Sequence, residues 1–227
     1  MKRQECKNCT IKSRAVETLG DDELEFLNEN CAEVTLKKGG SIIHQGKLSS
    51  HIAYIKSGLA KIHMTGPSGK DQILKIVAPG SYIGLQTILS QKIHRYSASA
   101  LMDSRVCYID NYSFRQLLKR NPEFSYEIII YLCQDELSYF ERFVNLSQKQ
   151  VNGRLADAIL FFADEIHRKK DFDFILTRND LAAWIGVTRE SATRALKELS
   201  DIGVIKTNAK EIEILDYERL VNISRNG

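Results

Sequence analysis

No window of the chain approaches the roughly 18 consecutive apolar residues of a membrane span, so membrane insertion is not expected. Met1-Lys2-Arg3-Gln4-Glu5-Cys6 lacks an apolar core of the kind a secretory signal needs, and a cytoplasmic address is the expectation. A large excess of one charge is also missing. The net charge of +3 is too small for a general polyanion binder. Near the C-terminus Arg178, Arg189, Arg194, Lys197, Lys206 and Lys210 are largely balanced by Asp180, Glu190, Glu198, Asp201, Glu211 and Glu213. Any nucleic-acid reading must therefore rest on motif geometry. The five cysteines, Cys6, Cys9, Cys31, Cys107 and Cys133, are an odd and scattered set that does not suggest a disulfide framework. Catalytic constellations are absent as well: no Ser/His/Asp set or metal dyad stands at informative spacing. Gly66-Pro67-Ser68-Gly69-Lys70 lacks the glycine spacing and following Ser/Thr of a phosphate loop and reads as a hairpin turn. An enzyme is not expected.

What is present is an ordinary globular composition, 43% hydrophobic and 27% charged over 227 residues, with enough apolar material for real cores. Residues 1–31 hold Cys6-Lys7-Asn8-Cys9 and an amphipathic helix with Leu24, Leu27 and Cys31 at helical spacing, capped by Asp21 or Asp22. From about Ala32 to Ile109, seven short β-rich runs alternate with glycine turns, which indicates a small antiparallel sandwich or barrel. Ser113–Leu118 reads as a short helix. Asn121 as N-cap and Pro122 at the first position then open a longer one. Along it Tyr126, Ile130, Cys133, Leu137, Phe140 and Val144 recur in four- and three-residue steps, a heptad seam that Val151 continues. The seam suits a parallel dimer contact; packing against the chain's own β domain is the other reading.

Beyond it, Gln148–Lys170 carries a helix with Leu155, Ile159, Phe162 and Ile166 on one face. Thr177 caps a further helix with Asp180 as its N3 partner. Leu181–Val187 passes through Gly186 into Thr188-Arg189-Glu190-Ser191-Ala192-Thr193-Arg194, a helix–glycine turn–helix pattern. Arg189, Glu190 and Arg194 fall on one side of the second helix, where a major-groove reader meets base edges. Arg pairs with guanine O6/N7, and Glu accepts from cytosine N4. Strand candidates Ile202–Ile205 and Glu211–Leu215, joined around Asn208-Ala209, form a wing. The expected fold is α+β: a β-roll domain over 1–120, a dimerisation helix over 121–147 and a winged helix-turn-helix over 148–227.

In this order of parts the chain resembles the cyclic-AMP receptor protein/FNR superfamily of bacterial transcription regulators over nearly its whole length. Leu176 through Ala182, Gly186 through Ser191, Arg194 and Leu199 carry the strongest match. Pro79-Gly80-Ser81-Tyr82-Ile83-Gly84 is similar to the Gly-x-x-x-Gly element of the family's effector pocket. The resemblance implies a cytoplasmic homodimer on double-stranded DNA, with RNA polymerase as a further candidate partner. Arg189 and Arg194 would contact guanines and Glu190 cytosine in TGTGA-like halves, Thr177 and Thr188 would hold phosphates, and Ser191 lies in the same stretch. Thr193 stands where the FNR type has serine, which leaves a mixed base preference open. A β-roll ligand-binding module without DNA binding is the remaining alternative.

The resemblance also frames the effector. The family's cyclic-nucleotide binders carry Gly-Glu-Leu and then Arg-Ser or Arg-Thr; this chain has Gly84-Leu85-Gln86 and Arg95-Tyr96. Leu85 cannot accept from a ribose hydroxyl and Tyr96 is bulky, so cyclic AMP is not the expected ligand. FNR-type regulators hold a [4Fe–4S] cluster on Cys-x-x-Cys-x5-Cys and one distant Cys. Cys6, Cys9 and Cys107 match, but Ala15 occupies the third position, and Cys31 substitutes only if the preceding helix bends back. The plain reading is Cys107 as a small buried hydrophobe and Cys6 and Cys9 as surface thiols, with an iron–sulfur, zinc or other redox role as the alternative. Haem is a third option, but none of His44, His51, His63 or His94 stands in a diagnostic motif.

Overall fold

The computed structural model describes residues 6–90, 92–208 and 210–227. The expected turn at Ala209 and the leading residues used to argue against secretion lie outside them. Among the described residues no helix is long and apolar enough to cross a membrane. The chain divides into two compact units. One runs through Lys70 and resumes at Leu74–Leu137; the other joins Asp71–Ile73 to Ser138–Gly227.

In the first unit a 3-10 turn (Cys6–Asn8), α1 (Arg14–Glu17) and α2 (Asp21–Glu29) precede β1 (Cys31–Leu36), β2 (Ser41–Ile43), β3 (His51–Ser57), β4 (Ala60–Thr65) and β5 (Asp71–Val77), whose first three residues belong to the second unit. There follow β6 (Tyr82–Ile83), α3 (Leu85–Ser90), β7 (Ser97–Ala100), β8 (Ser104–Asp110), α4 (Asn111–Arg120) and α5 (Pro122–Gln148), whose last residues belong to the second unit. The strands form two four-stranded sheets, β1-β8-β3-β6 and β2-β7-β4-β5. Strand alternation turns Ala53, Ile55, Ile62, Ala98 and Val106 into one apolar cluster. A second cluster joins Ile52, Tyr82 and Ile109 of the sheet to Leu24 and Leu27 of α2, Phe114 and Leu117 of α4, and Phe124 and Ile128 of α5. Gly66-Pro67-Ser68-Gly69 is the hairpin between β4 and β5, with Gly66 N–H donating to Lys70 O at 3.0 Å.

Two expectations in this region are corrected. Gly20, not Asp21 or Asp22, is the N-cap of α2, and the Glu23 carboxylate accepts its backbone N–H at 3.1 Å. Cys31 is not a helical residue; α2 has ended and Cys31 is the first residue of β1. By contrast, Asn121 does cap α5, its side-chain oxygen accepting from Phe124 N at 2.9 Å.

In the second unit come α6 (Val151–Leu160), a π-helical turn (Phe161–His167), β9 (Asp171–Asp173), α7 (Arg178–Ile185), α8 (Arg189–Asp201), β10 (Ile205–Asn208), β11 (Glu211–Ile214) and α9 (Tyr217–Asn226). The seam does not run on through Val151: the chain leaves helical geometry at Gln150 (ψ 170°), and Val151 starts a new helix. The single helix expected over Gln148–Lys170 is instead α6 plus the π turn, stopped at Arg168 in the left-handed region (φ 54°). Ile202-Gly203-Val204 form the exit from α8 rather than a strand. The wing is three-stranded, β10-β11-β9, because Phe172 pairs with Ile212. Phe162 anchors this core, its ring 4.9 Å from Phe174 and 5.8 Å from Trp184. The α+β class is borne out.

Candidate nucleic-acid interface and sensor cavity

Thr177 starts α7. Its hydroxyl accepts Asp180 N–H at 3.0 Å and donates to the Asp180 carboxylate at 2.6 Å, which in turn accepts Thr177 N–H at 3.3 Å. This reciprocal cap satisfies two orphan donors of the first turn. Helix α7 stops at Gly186, φ 70°, a left-handed conformation that glycine adopts without a Cβ penalty. Two residues on, Thr188 starts α8: its hydroxyl accepts Ser191 N–H at 3.2 Å and donates to Ser191 Oγ at 3.1 Å.

Ala192, Ala195, Leu196 and Leu199 bury one face of α8. The opposite face exposes Arg189, Glu190, Thr193, Arg194 and Lys197, which line one shallow concavity. Arg194 lies 4.0 Å from Glu198 one turn on, a solvent-exposed pair that leaves the guanidinium on the surface. The sequence reading placed Arg189, Glu190 and Arg194 on one face, and that is where they sit. It missed Lys197, although its place three residues after Arg194 was the available signal. The hydroxyl hydrogens of Thr177 and Thr188 are spent inside the caps. What these residues contribute here is two correctly started helices.

Helix α5 has two faces. Phe124 and Ile128 are buried in the first unit's core, with Tyr131 and Leu132 partly buried against it. Tyr126, Cys133, Leu137, Phe140 and Val144 are exposed and Ile130 is half-buried; Leu137 and Phe140 keep 60% and 57% of their surface. Within the first unit, Tyr126, Cys133 and Leu137 therefore leave the core, while Ile130 stays half-buried. Ile129 and Phe143 are exposed apolar residues that the heptad count left out.

In the effector segment, Gly84 (φ 98°) presents its backbone N–H to the Tyr96 phenol at 3.0 Å, and that phenol donates to the Gln86 side chain at 3.0 Å. Burial pushes the Tyr96 phenol up to about 12. Leu85 is 1% exposed and belongs to the core, while Arg95 stays on the surface. The histidines are engaged elsewhere: His94 is buried and hydrogen-bonded to Thr87 Oγ1 at 3.1 Å, and desolvation lowers its pKa. His63 meets Ser99 and His51 meets Ser50.

A different constellation appears beside α2. Cys6, Cys9, Cys31 and Cys107 all line one cavity of about 340 Å³, together with Tyr54 and Lys56. Register explains half of it. Cys31 pairs with Ile109 and Glu33 with Cys107 across β1 and β8, so Cys31 and Cys107 lie two residues apart on one sheet face. The other half comes from the N-terminal segment, where Asn28 accepts Cys6 N–H at 3.1 Å and the Cys6 and Cys31 sulfurs stand 3.5 Å apart. The thiol–thiol hydrogen bond with Cys31, then burial, hold the Cys6 pKa far above the usual thiol range; burial pushes Cys107 up to about 12. Lys56, 5% exposed, donates to Glu33 at 2.6 Å at the cavity wall. Among the described residues no group of three or more His, Cys, Asp or Glu side chains is arranged to hold a single metal ion.

Comparison with known proteins matches this architecture. A cyclic nucleotide-binding domain model covers residues 33–121, and a Crp-like helix-turn-helix domain model covers 153–223. The chain is 27% identical to electron transport regulator A of Shewanella oneidensis over 98% of its own length and 91% of the relative's. It is 26% identical to the cAMP-activated global transcriptional regulator CRP of Escherichia coli over 86% of its length and 94% of the relative's. The solved structure of FixK2 from Bradyrhizobium japonicum superposes with a TM-score of 0.77 at 20% identity, covering 85% of this chain and 96% of that one. With a cyclic-nucleotide-binding-type β domain and a Crp-like helix-turn-helix in a single chain, the protein belongs to the cyclic-AMP receptor protein/FNR superfamily of DNA-binding transcription regulators.

Proposed function

We propose that this regulator works in the cytoplasm as a homodimer on a palindrome with TGTGA-like halves, without catalysing a reaction. The observation that carries the reading is the exposed Arg189, Glu190 and Arg194 face of α8, backed by a fully buried apolar face. Arg189 and Arg194 address guanines and Glu190 cytosine. The capped starts of α7 and α8 at Thr177 and Thr188, with the Ser191 amide held in the second cap, direct helix N-termini at backbone phosphates. The seam Tyr126, Ile130, Cys133, Leu137, Phe140 and Val144 supplies the two-fold contact, and RNA polymerase is the protein partner on DNA. Selection of bound sequences from a random pool tests this. A palindrome lacking TGTGA-like halves overturns the base assignments, and an absence of sequence preference overturns the regulator reading in favour of a binding module.

For the input, the four-cysteine cavity favours a redox or metal signal over a cyclic nucleotide. Gly84 and Leu85 offer a ribose or phosphate little, since Tyr96 already takes the Gly84 amide. Cys6, Cys9, Cys31 and Cys107 have the donor chemistry of an iron–sulfur cluster and line one cavity, though they would have to draw together to bind it; Cys31, opening β1, would supply the thiol that Ala15 cannot. Cys6, held protonated by its hydrogen bond to Cys31, and Cys107, raised by burial, would ionise readily only toward a cation. Such a cluster supplies sensitivity to oxidants. Anaerobic purification with an absorbance scan and metal analysis tests it: a colourless, metal-free protein ends this reading and leaves the DNA-binding one intact.

A further inference from the structure

The second unit contains a cavity of about 200 Å³ that neither the α8 face nor the thiol site uses. Its wall includes Arg142 near the end of α5, Arg154 in the first turn of α6 and Trp184 in the last turn of α7, with Glu141, Asp157 and Phe161 beside them. Two guanidinium groups thus share one half-enclosed space. Arg142 donates through Nη2 to the carbonyls of Trp184 and Ile73, the latter at 2.7 Å, and lies over the Trp184 ring at 5.9 Å. Among the described residues the Arg154 guanidinium reaches the Leu146 carbonyl alone, at 3.4 Å. The Nε atoms of both are buried and have no hydrogen-bond partner among the described residues.

These contacts are neutral. Asp157 does not supply the missing charge, because both its oxygens accept from Lys149, at 2.8 and 2.7 Å, and one also accepts from the Ser224 hydroxyl. Glu141 is exposed, and among the described residues neither carboxylate of the wall lies within ion-pair distance of either half-buried guanidinium. Cations taken out of water without a counter-charge are costly, and an anion accepting charge-assisted hydrogen bonds removes that cost. We propose that Arg142 and Arg154 bind one small oxyanion of phosphate size, either inorganic phosphate or the phosphoryl group of an organic phosphate. Two planar forks on separate helices suit a tetrahedral anion, which offers several edges, better than a planar carboxylate. The bound anion would tie α5, α6 and α7 together two residues before the Gly186 turn that leads into α8.

The chain's one tryptophan, Trp184, lines the cavity and reports its occupancy. The full-length protein is titrated with phosphate, glycerol phosphate, acetate and chloride at constant ionic strength, following tryptophan fluorescence and Tm. Phosphate is expected to give a saturable change and acetate and chloride none. Binding of glycerol phosphate as tight as or tighter than phosphate assigns the site to an organic phosphate, and weaker binding to the free ion. Arg154→Gln should weaken binding about tenfold or more. Glu141→Gln, at an exposed position, should tighten it, which a merely structural role for the arginines would not produce. If Arg154→Gln fails to fold by circular dichroism, the Glu141→Gln shift decides. Phosphate acting no differently from chloride, or affinity unmoved by Glu141→Gln, overturns the proposal.

Discussion

The Cys6 and Cys31 sulfurs, 25 residues apart in sequence, stand 3.5 Å from one another at the wall of a cavity that Cys9 and Cys107 also line. The shared hydrogen bond keeps Cys6 protonated, and the thiolate is the reactive form. In the metal-free protein Cys6 should therefore react more slowly with a thiol reagent at pH 8 than exposed Cys133. Cys31→Ala should speed Cys6 up, since alanine removes the hydrogen-bond partner that holds it protonated. Peptide mapping of the labelled thiols reads both rates, and a Cys6 as fast as Cys133 would contradict the structure.

Alkaline pH should destabilise the first unit. Burial raises the Cys107 thiol from its ordinary range to about 12, and the Tyr96 and Tyr131 phenols from theirs to about 12. Between those values the unfolded chain has lost protons that the folded one retains, so stability falls as pH rises. It is complete below about pH 9 and declines from there toward pH 12. Urea midpoints measured from pH 8 to 11 should fall, and Tyr96→Phe should flatten part of the slope.

On DNA, Arg189→Ala and Arg194→Ala should each cost about 1–3 kcal/mol and relax specificity at one base pair. Glu198→Gln should change little, because its pair with Arg194 is solvent-exposed. Competition gel shifts against single-base variants separate these outcomes. A uniform loss across sequences would instead assign the arginines to phosphates.

The caps make a separate stability claim. Thr177→Ala should cost about 1 kcal/mol, with Thr177→Ser near neutral. Gly186→Ala should cost about 1–2 kcal/mol, since φ is 70° and the added Cβ would meet Leu146 Cδ2 at 3.2 Å. Thermal unfolding followed by Trp184 fluorescence measures both.

Phe140→Asp tests the seam. Its side chain is exposed in the single chain, so the fold should survive while light scattering reports a monomer and DNA affinity falls. An unchanged mass would place the two-fold contact elsewhere.

Much of this molecule was determined locally and could be read from the residues in order. Thr177 with Asp180, Gly186, and Thr188 mark their helix ends through hydrogen bonds and dihedrals that span only a few residues. The Ala192–Leu199 stripe orients α8 by periodicity alone, and with it Arg189, Glu190 and Arg194. Short-range pattern has no access to register between distant strands, which depends on packing summed over a whole sheet. Only the tertiary structure could place Cys31 on the same sheet face as Cys107, add β9 to the wing, and set the Tyr96 phenol on the Gly84 amide. The exposed Arg189, Glu190 and Arg194 face of α8 was legible because its geometry is contained in thirteen consecutive residues. The thiol cavity was not, because its four sulfurs come from three separate segments joined only by the β1–β8 pairing and the docking of the N-terminal turn.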